Sequence, residues 1–147
     1  PETALLGFAL GCDAIAVGRE AMLAVGCIQA QRCHSGHCPT GVATQSAWRS
    51  RGVVPGVKAL RLANYVGELR LELQQLSRAC GVVHPALVTA GHLEMLDDRY
   101  GAIGVGELFG YEPGWAVPSD ADRAAITALM APTPSGVPGP GLADAAS

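Results

Sequence analysis

Three of the five cysteines of this 147-residue chain fall within twelve positions, in the run CIQAQRCHSGHC from Cys27 to Cys38, and Pro39 follows at once. Five residues separate the first two thiols and four separate the second two. A packing cysteine is an isolated small hydrophobe, and no packing demand puts three into one short loop. Thiolates that must converge on a metal centre supply that demand. Such a loop needs a rigid scaffold, and the flanking residues are read for one.

Upstream, ETALLGFAL spaces Ala4, Leu5, Phe8 and Ala9 as one helix face, with Gly11 as its C-terminal stop. Asp13 to Val17 (DAIAV) is a short apolar run between Gly11 and Gly18, the pattern of a buried parallel strand. A second helical run, Arg19 to about Val25, follows directly. Helix, short buried strand and helix in succession is the rhythm of an α/β fold with parallel strands. The turn Val17-Gly18-Arg19-Glu20 would aim helix N–H groups outward, and Arg19 adds positive charge for a phosphate; a plain turn with a solvated arginine fits the same residues.

Downstream of the loop, Pro39 and Gly41 predict an ordered, non-helical path through Gln45. The chain turns amphipathic around Trp48, Arg49 and Arg51, and Pro55-Gly56 interrupts it. The longest periodic segment runs from Val57 to Cys80: Leu62, Tyr65, Val66, Leu69, Leu73, Leu76 and Cys80 share one face. Gly81 ends it, and Cys80 is expected to be a buried, inert thiol. Pro85 and Thr89 predict a short helix through Leu96, with His92 on the surface. Residues 101–118 mix Gly and Pro with Phe109, Tyr111 and Trp115, as in a segment laid over a surface and pinned by aromatics. Asp120 to Met130 reads as one more helix. Residues 132–147 are Pro-, Gly-, Ser- and Ala-rich and read as a disordered tail.

Composition narrows the function classes. Hydrophobic residues make up 49% of the chain, enough for a core, and a net charge of −3 gives no electrostatic reason to bind nucleic acid. The apolar runs are too short and broken to span a bilayer. Five cysteines, an odd number without framework spacing, point to reduced thiols and a cytoplasmic location. The chain starts at Pro1 and enters directly into a helical pattern, as expected of a C-terminal piece of something longer.

Four chemistries compete for the loop. Zinc would take Cys27, Cys33 and Cys38 with His34 or His37, but structural zinc draws on ligand pairs two to four residues apart. A disulfide would leave one thiol over, and a lone nucleophile would need no neighbours. An iron–sulfur cluster takes several thiolates from one loop, often with proline after the last. Spacing places iron–sulfur ahead of zinc without deciding between them.

The run Gly18-Arg19, Gly26-Cys27-Ile28, Arg32-Cys33-His34 and Cys38-Pro39-Thr40-Gly41-Val42-Ala43-Thr44-Gln45 resembles the FMN-binding synthase domain of the glutamate synthase family. The similarity continues through Leu62-Ala63-Asn64-Tyr65 and the long helix to His84-Pro85 and Thr89–Leu93. The resemblance implies the C-terminal portion of a (β/α)8 TIM barrel with an iron–sulfur loop and a C-terminal helical extension, an α/β fold. It implies that Cys27, Cys33 and Cys38 hold a [3Fe-4S] cluster, that Ala9–Gly18 ends the seventh helix and forms the eighth strand, and that Gly18 and Arg19 contact the FMN phosphate. Residues 1–97 would then be the barrel part, 98–131 a family-specific extension and 132–147 the tail.

The activity implied is oxidoreductase chemistry on CH–NH2 donors: electrons from a donor protein or subunit serve the reductive amination of 2-oxoglutarate to L-glutamate, with ammonia or glutamine supplying nitrogen. Catalytic residues are not identifiable in this stretch. One strand cannot close a barrel, so the piece alone is expected to be inactive. The alternatives are a related amine-transferring enzyme subunit and a small iron–sulfur or zinc-binding module.

Overall fold

The computed structural model describes residues 1–99 and 101–131. The predicted tail, 132–147, lies outside them. The described part is mostly helical, with a single two-stranded antiparallel sheet among the described residues.

Helix α1 (Glu2–Ala9) forms on the expected spacing and buries Ala4, Leu5 and Ala9. Helix α4 (Pro55–Ala79) is the longest element and spans about 38 Å at 1.5 Å per residue. It begins two residues earlier than the periodicity indicates, because Pro55 occupies its first turn, where a missing N–H costs nothing. Its C-terminal half turns Leu69, Leu73 and Leu76 toward α1, and Leu73 joins Ala4, Leu5, Ala9 and Val88 in the core. Ser77 is fully buried there and satisfies its hydroxyl on the Leu73 carbonyl at 2.7 Å. Gly81, at φ +80°, closes the helix as the pattern requires. Cys80 packs against the core but is only half-buried, because it sits at the last turn where the helix leaves its neighbours.

Two expected elements take other forms. Asp13 to Val17 is not a strand: no strand lies beside it among the described residues to complete a ladder, and only Ile15 and Val17 are partly covered. Among the described residues no barrel is formed, and the observed class is mostly α with a small antiparallel sheet rather than parallel α/β. The short helix predicted through Leu96 also gives way. Pro85–Leu87 and Ala90–His92 are single 3-10 turns, and Glu94–Asp97 is strand β1. Its partner β2 (Gly101–Gly104) pairs in antiparallel register, Glu94 opposite Gly104 and Asp97 opposite Gly101. The His92 ring turns back to accept the Thr89 N–H at 3.0 Å, which ends the turn after three residues. His92 is exposed, as anticipated.

Helix α2 (Gly18–Ala24) packs on the N-terminal half of α4, and α3 (Ala47–Ser50) is a single turn. Beyond the hairpin, α5 (Val105–Leu108) buries Val105 beneath it, and α6 (Asp120–Met130) is capped by Ser119, which accepts the Asp122 N–H at 3.2 Å. Between them the segment returns to α1. The Tyr111 hydroxyl bonds to the Leu10 carbonyl, and Trp115 meets the Tyr111 ring edge-on at 6.1 Å. Phe109 is about half exposed and pins nothing, so Tyr111 and Val105 anchor the segment.

Candidate metal centre

Gly18 opens α2, and nothing lies within 4 Å of where a side chain at this position would begin. The protein's own packing therefore does not require glycine there, and the backbone beside it is open. Arg19 is exposed. The next residue is tied down: Glu20 accepts a hydrogen bond from the Tyr65 hydroxyl on α4. That bond is the main reason the Tyr65 phenol is pushed up to about 12, with burial and the charges of Glu20 and Glu72 adding to it.

Seven helical residues later α2 ends, about 10 Å along its axis. The Gly26 and Cys27 N–H groups close it on the Leu23 and Met22 carbonyls, both at 2.9 Å, with Gly26 at φ +108°. A side chain at Gly26 would collide with the Lys58 ammonium, 2.7 Å away. The cysteine loop thus leaves α2 directly over the first turn of α4. Gln29 and Gln31 both adopt φ +55°, a left-handed conformation that non-glycine residues rarely hold, so the path is far from regular structure.

The three thiols sit in different surroundings. Cys27 is half-buried, and its sulfur accepts the Gln29 N–H at 3.3 Å. Cys33 is exposed at the start of a 3-10 turn (Cys33–Ser35) that Gly36 closes at φ +69°. Cys38 is buried, 7% exposed, and its sulfur lies 3.3 Å from the Thr40 hydroxyl. This hydroxyl, followed by the main-chain N–H groups of Ala43, Thr40 and Val42, draws the Cys38 thiol down to about 7 against the opposing effect of burial. The negative form of this sulfur is therefore easier to reach than that of an ordinary thiol, although it lies in the driest part of the loop.

Two further residues hold that arrangement: Gly41, expected to keep the path non-helical, and Thr44, named only within the run that resembles the family. Thr44 donates to the Gly36 carbonyl at 2.6 Å and accepts the Ser46 N–H at 3.1 Å, which staples the two ends of the Cys38 turn. Gly41, buried at φ +78°, lies against the backbone of Arg49 and Ser50, with the Ser50 Cα 3.1 Å from any added side-chain carbon. Only glycine permits that approach. In the sequence Gly41 reads only as a breaker of regular structure, and the staple made by Thr44 depends on where Gly36 and Ser46 lie, which residue type alone does not mark.

The donor set fits a thiolate-ligated iron–sulfur group in its chemistry: three free thiols, no carboxylate in the loop, and N–H and O–H donors directed at sulfur. His34 and His37, the extra ligands a zinc site would use, are both exposed. Among the described residues no three His, Cys, Asp or Glu side chains are gathered into a group that could hold a metal ion. The fold brings the Gly18–Arg19 turn and the cysteine loop to opposite ends of α2.

Residues 2–83 match the family model described as the conserved region in glutamate synthase. The chain belongs to the glutamate synthase family. The matched region contains Gly18, Arg19 and all three loop cysteines. Among relatives, the glutamate synthase large subunit-like protein of Bacillus subtilis is 36% identical over 93 residues, 63% of this chain and 18% of that protein. The archaeal glutamate synthase [NADPH] of Methanocaldococcus jannaschii is 39% identical over 74 residues, 50% of this chain and 14% of the relative. The chloroplastic ferredoxin-dependent glutamate synthase of Oryza sativa subsp. japonica is 41% identical over 76 residues, 49% of this chain and 5% of the relative. The chain thus spans less than a fifth of these family members. No solved structure matches it. Among the described residues, no helix is long and apolar enough to cross a membrane.

Proposed function

We propose that the chain is the cluster-bearing part of a glutamate synthase-like oxidoreductase, with Cys27, Cys33 and Cys38 as ligands of a [3Fe-4S] cluster and Gly18-Arg19 as part of an FMN phosphate site. One observation carries this reading: the family region at residues 2–83 encloses the whole cysteine loop and the Gly-Arg turn that precedes it. In the complete polypeptide, residues 1–97 serve as the C-terminal part of a (β/α)8 barrel, with Asp13 to Val17 pairing against strands from outside this stretch. Residues 98–131 are an extension laid against it.

When bound, the cluster and flavin supply the electron relay and hydride delivery that reductively aminate 2-oxoglutarate to L-glutamate, with ammonia or glutamine as the nitrogen source. The chain's own residues hold and orient. Cys38 offers a sulfur whose thiolate form is stabilised by Thr40 and three main-chain N–H groups. Arg19 offers a guanidinium to phosphate beside an open glycine backbone. Tyr65 occupies the Glu20 carboxylate, so the acid next to Arg19 is engaged away from that arginine. The exposed side of the loop, at Cys33 and Ile28, faces outward, where an electron-donor protein or subunit has access. The reduced thiols suit a cytoplasmic setting.

The test is anaerobic purification of the full-length protein, followed by iron and acid-labile sulfide analysis and EPR. A three-iron signal that disappears in Cys33→Ser supports the reading. Stoichiometric zinc without iron overturns it.

A further inference from the structure

We propose that Lys58 and Arg61 of α4, meeting over Gly26 at the end of α2, bind a phosphate group, carried free or on a small organic molecule. The inference stands apart from the cluster reading, because the packing of α2 on α4 sets its geometry.

A side chain begun at Gly26 would lie 2.7 Å from Lys58 Nζ and 3.9 Å from Arg61 Nη1. Two positive head groups therefore come within 4 Å of one point, which glycine, having no side chain, leaves clear. Like charges so placed repel each other, and the half-buried position of Lys58 weakens the screening by water. Nothing in the protein's own structure offsets them. The one salt bridge among the described residues joins Pro1 and Glu2, and neither head group makes a hydrogen bond there. The sequence gives the reason: positions 21–67 hold five Lys and Arg residues and no Asp or Glu, so α4 has no carboxylate one turn to either side of Lys58 or Arg61. The carbonyl end of α2 does not engage them either, since the Gly26 and Cys27 N–H groups close it on Leu23 and Met22.

Charge and shape name the ligand. Two cations match a dianion, whereas a lone carboxylate would leave one positive charge uncompensated. Arginine presents a planar fork of donors and lysine a point charge, and both suit phosphate oxygens. Arg61 also lines a cleft of about 450 Å3 between α2 and α4, together with Leu23, Ala24, Asn64 and Tyr65. The carboxylate of that cleft, Glu20, accepts from the Tyr65 hydroxyl. An organic group attached to the phosphate has room there, beside the apolar Leu23 and the Asn64 amide.

The experiment is isothermal titration calorimetry of the full-length protein with inorganic phosphate and, separately, phenyl phosphate. It compares the native protein with Lys58→Gln, Arg61→Gln and Arg19→Gln, each checked for native circular dichroism. A binding event weakened about tenfold in both Lys58→Gln and Arg61→Gln, and kept in Arg19→Gln, is the expected result. Arg19 stands at the opposite end of α2, so this contrast separates the site from the proposed FMN phosphate contact. Tighter binding of phenyl phosphate assigns an organic phosphate, and equal affinity assigns the free ion. Absence of binding in the native protein overturns the inference, and so does binding that Lys58→Gln and Arg61→Gln leave unchanged. Iron does not enter the readout, so a native protein without iron removes the cluster reading and leaves this inference to its own test.

Discussion

The Tyr111 hydroxyl donates to the Leu10 main-chain carbonyl at 2.8 Å, joining residues 101 positions apart. Leu10 follows α1 directly, and α1 lies on the core side of α4, so this bond fastens the C-terminal segment to the body of the fold. The closeness is reinforced nearby: a side chain at Gly11, φ +87°, would lie 2.6 Å from the Ala116 Cβ. Tyr111→Phe keeps the ring against Trp115 and leaves the partly buried Leu10 carbonyl without this donor. The expected loss is about 1 kcal/mol of stability in urea unfolding. Limited proteolysis should cut between residues 105 and 118 faster than in the native chain. Unchanged proteolysis would mean that Val105, not Tyr111, holds the segment.

Gly36 and Gly41 separate backbone strain from collision. Both have positive φ, +69° and +78°, but only Gly41 is pressed against another stretch of backbone, at Arg49 and Ser50. Gly36→Ala should cost about 1 kcal/mol, the conformational term alone. Gly41→Ala adds a steric conflict with main chain that cannot rotate away, and the expected loss is about 3 kcal/mol. Equal losses in the two variants would show that the backbone of Arg49 and Ser50 moves aside freely.

Tyr65 gives a pH signature. Its phenol is pushed up to about 12, above the ordinary value of 10.0, because the neutral form donates to Glu20. A group whose folded pKa is raised contributes stability that is complete below its unfolded pKa and is lost as pH rises through the folded value. The Tyr65–Glu20 contribution is thus fully present below about pH 10 and fades toward pH 12. In an absorbance titration of phenolate, one tyrosine should ionise late. Tyr65→Phe should remove that step, and Glu20→Gln should move it toward the ordinary range. A late step that persists in Tyr65→Phe assigns it to another tyrosine.

What could be read in advance follows from how local each signal is. The face of α4 through Leu69, Leu73 and Leu76 repeats over many turns, so periodicity alone located it, and the thiols of Cys27, Cys33 and Cys38 announced themselves by spacing. Asp13 to Val17 has the composition of a buried strand, but a strand exists only beside a neighbour, and none accompanies it among the described residues. Thr89 to Leu96 carried a helix-start signal, yet Glu94–Asp97 found β2 and the His92 ring capped Thr89, so pairing overrode the local preference. Around Cys38 the non-helical path was legible from Pro39 and Gly41, but the contacts were not. Thr40, Gly41 and Thr44 act through a sulfur contact, a close backbone approach and a loop staple, all of which depend on tertiary position.

Leu73 and Leu60 test whether α4 is stabilised by one face. Both are leucines inside the same helix, so helix propensity is equal and only burial differs. Leu73 is 8% exposed and packs with Ala4, Leu5, Ala9 and Val88, whereas Leu60 is 63% exposed. Truncating Leu73 to alanine removes its core contacts and leaves a space that the short α1 side chains Ala4 and Ala9 cannot fill. The expected loss is about 2–4 kcal/mol. Leu60→Ala removes little packing and gains slightly in helix propensity, so its effect should stay within about 0.5 kcal/mol. Urea unfolding of the two variants side by side checks the contrast. A comparable loss at Leu60 would mean that the N-terminal half of α4 is also covered in solution, and that the core is not confined to the α1 end of the helix.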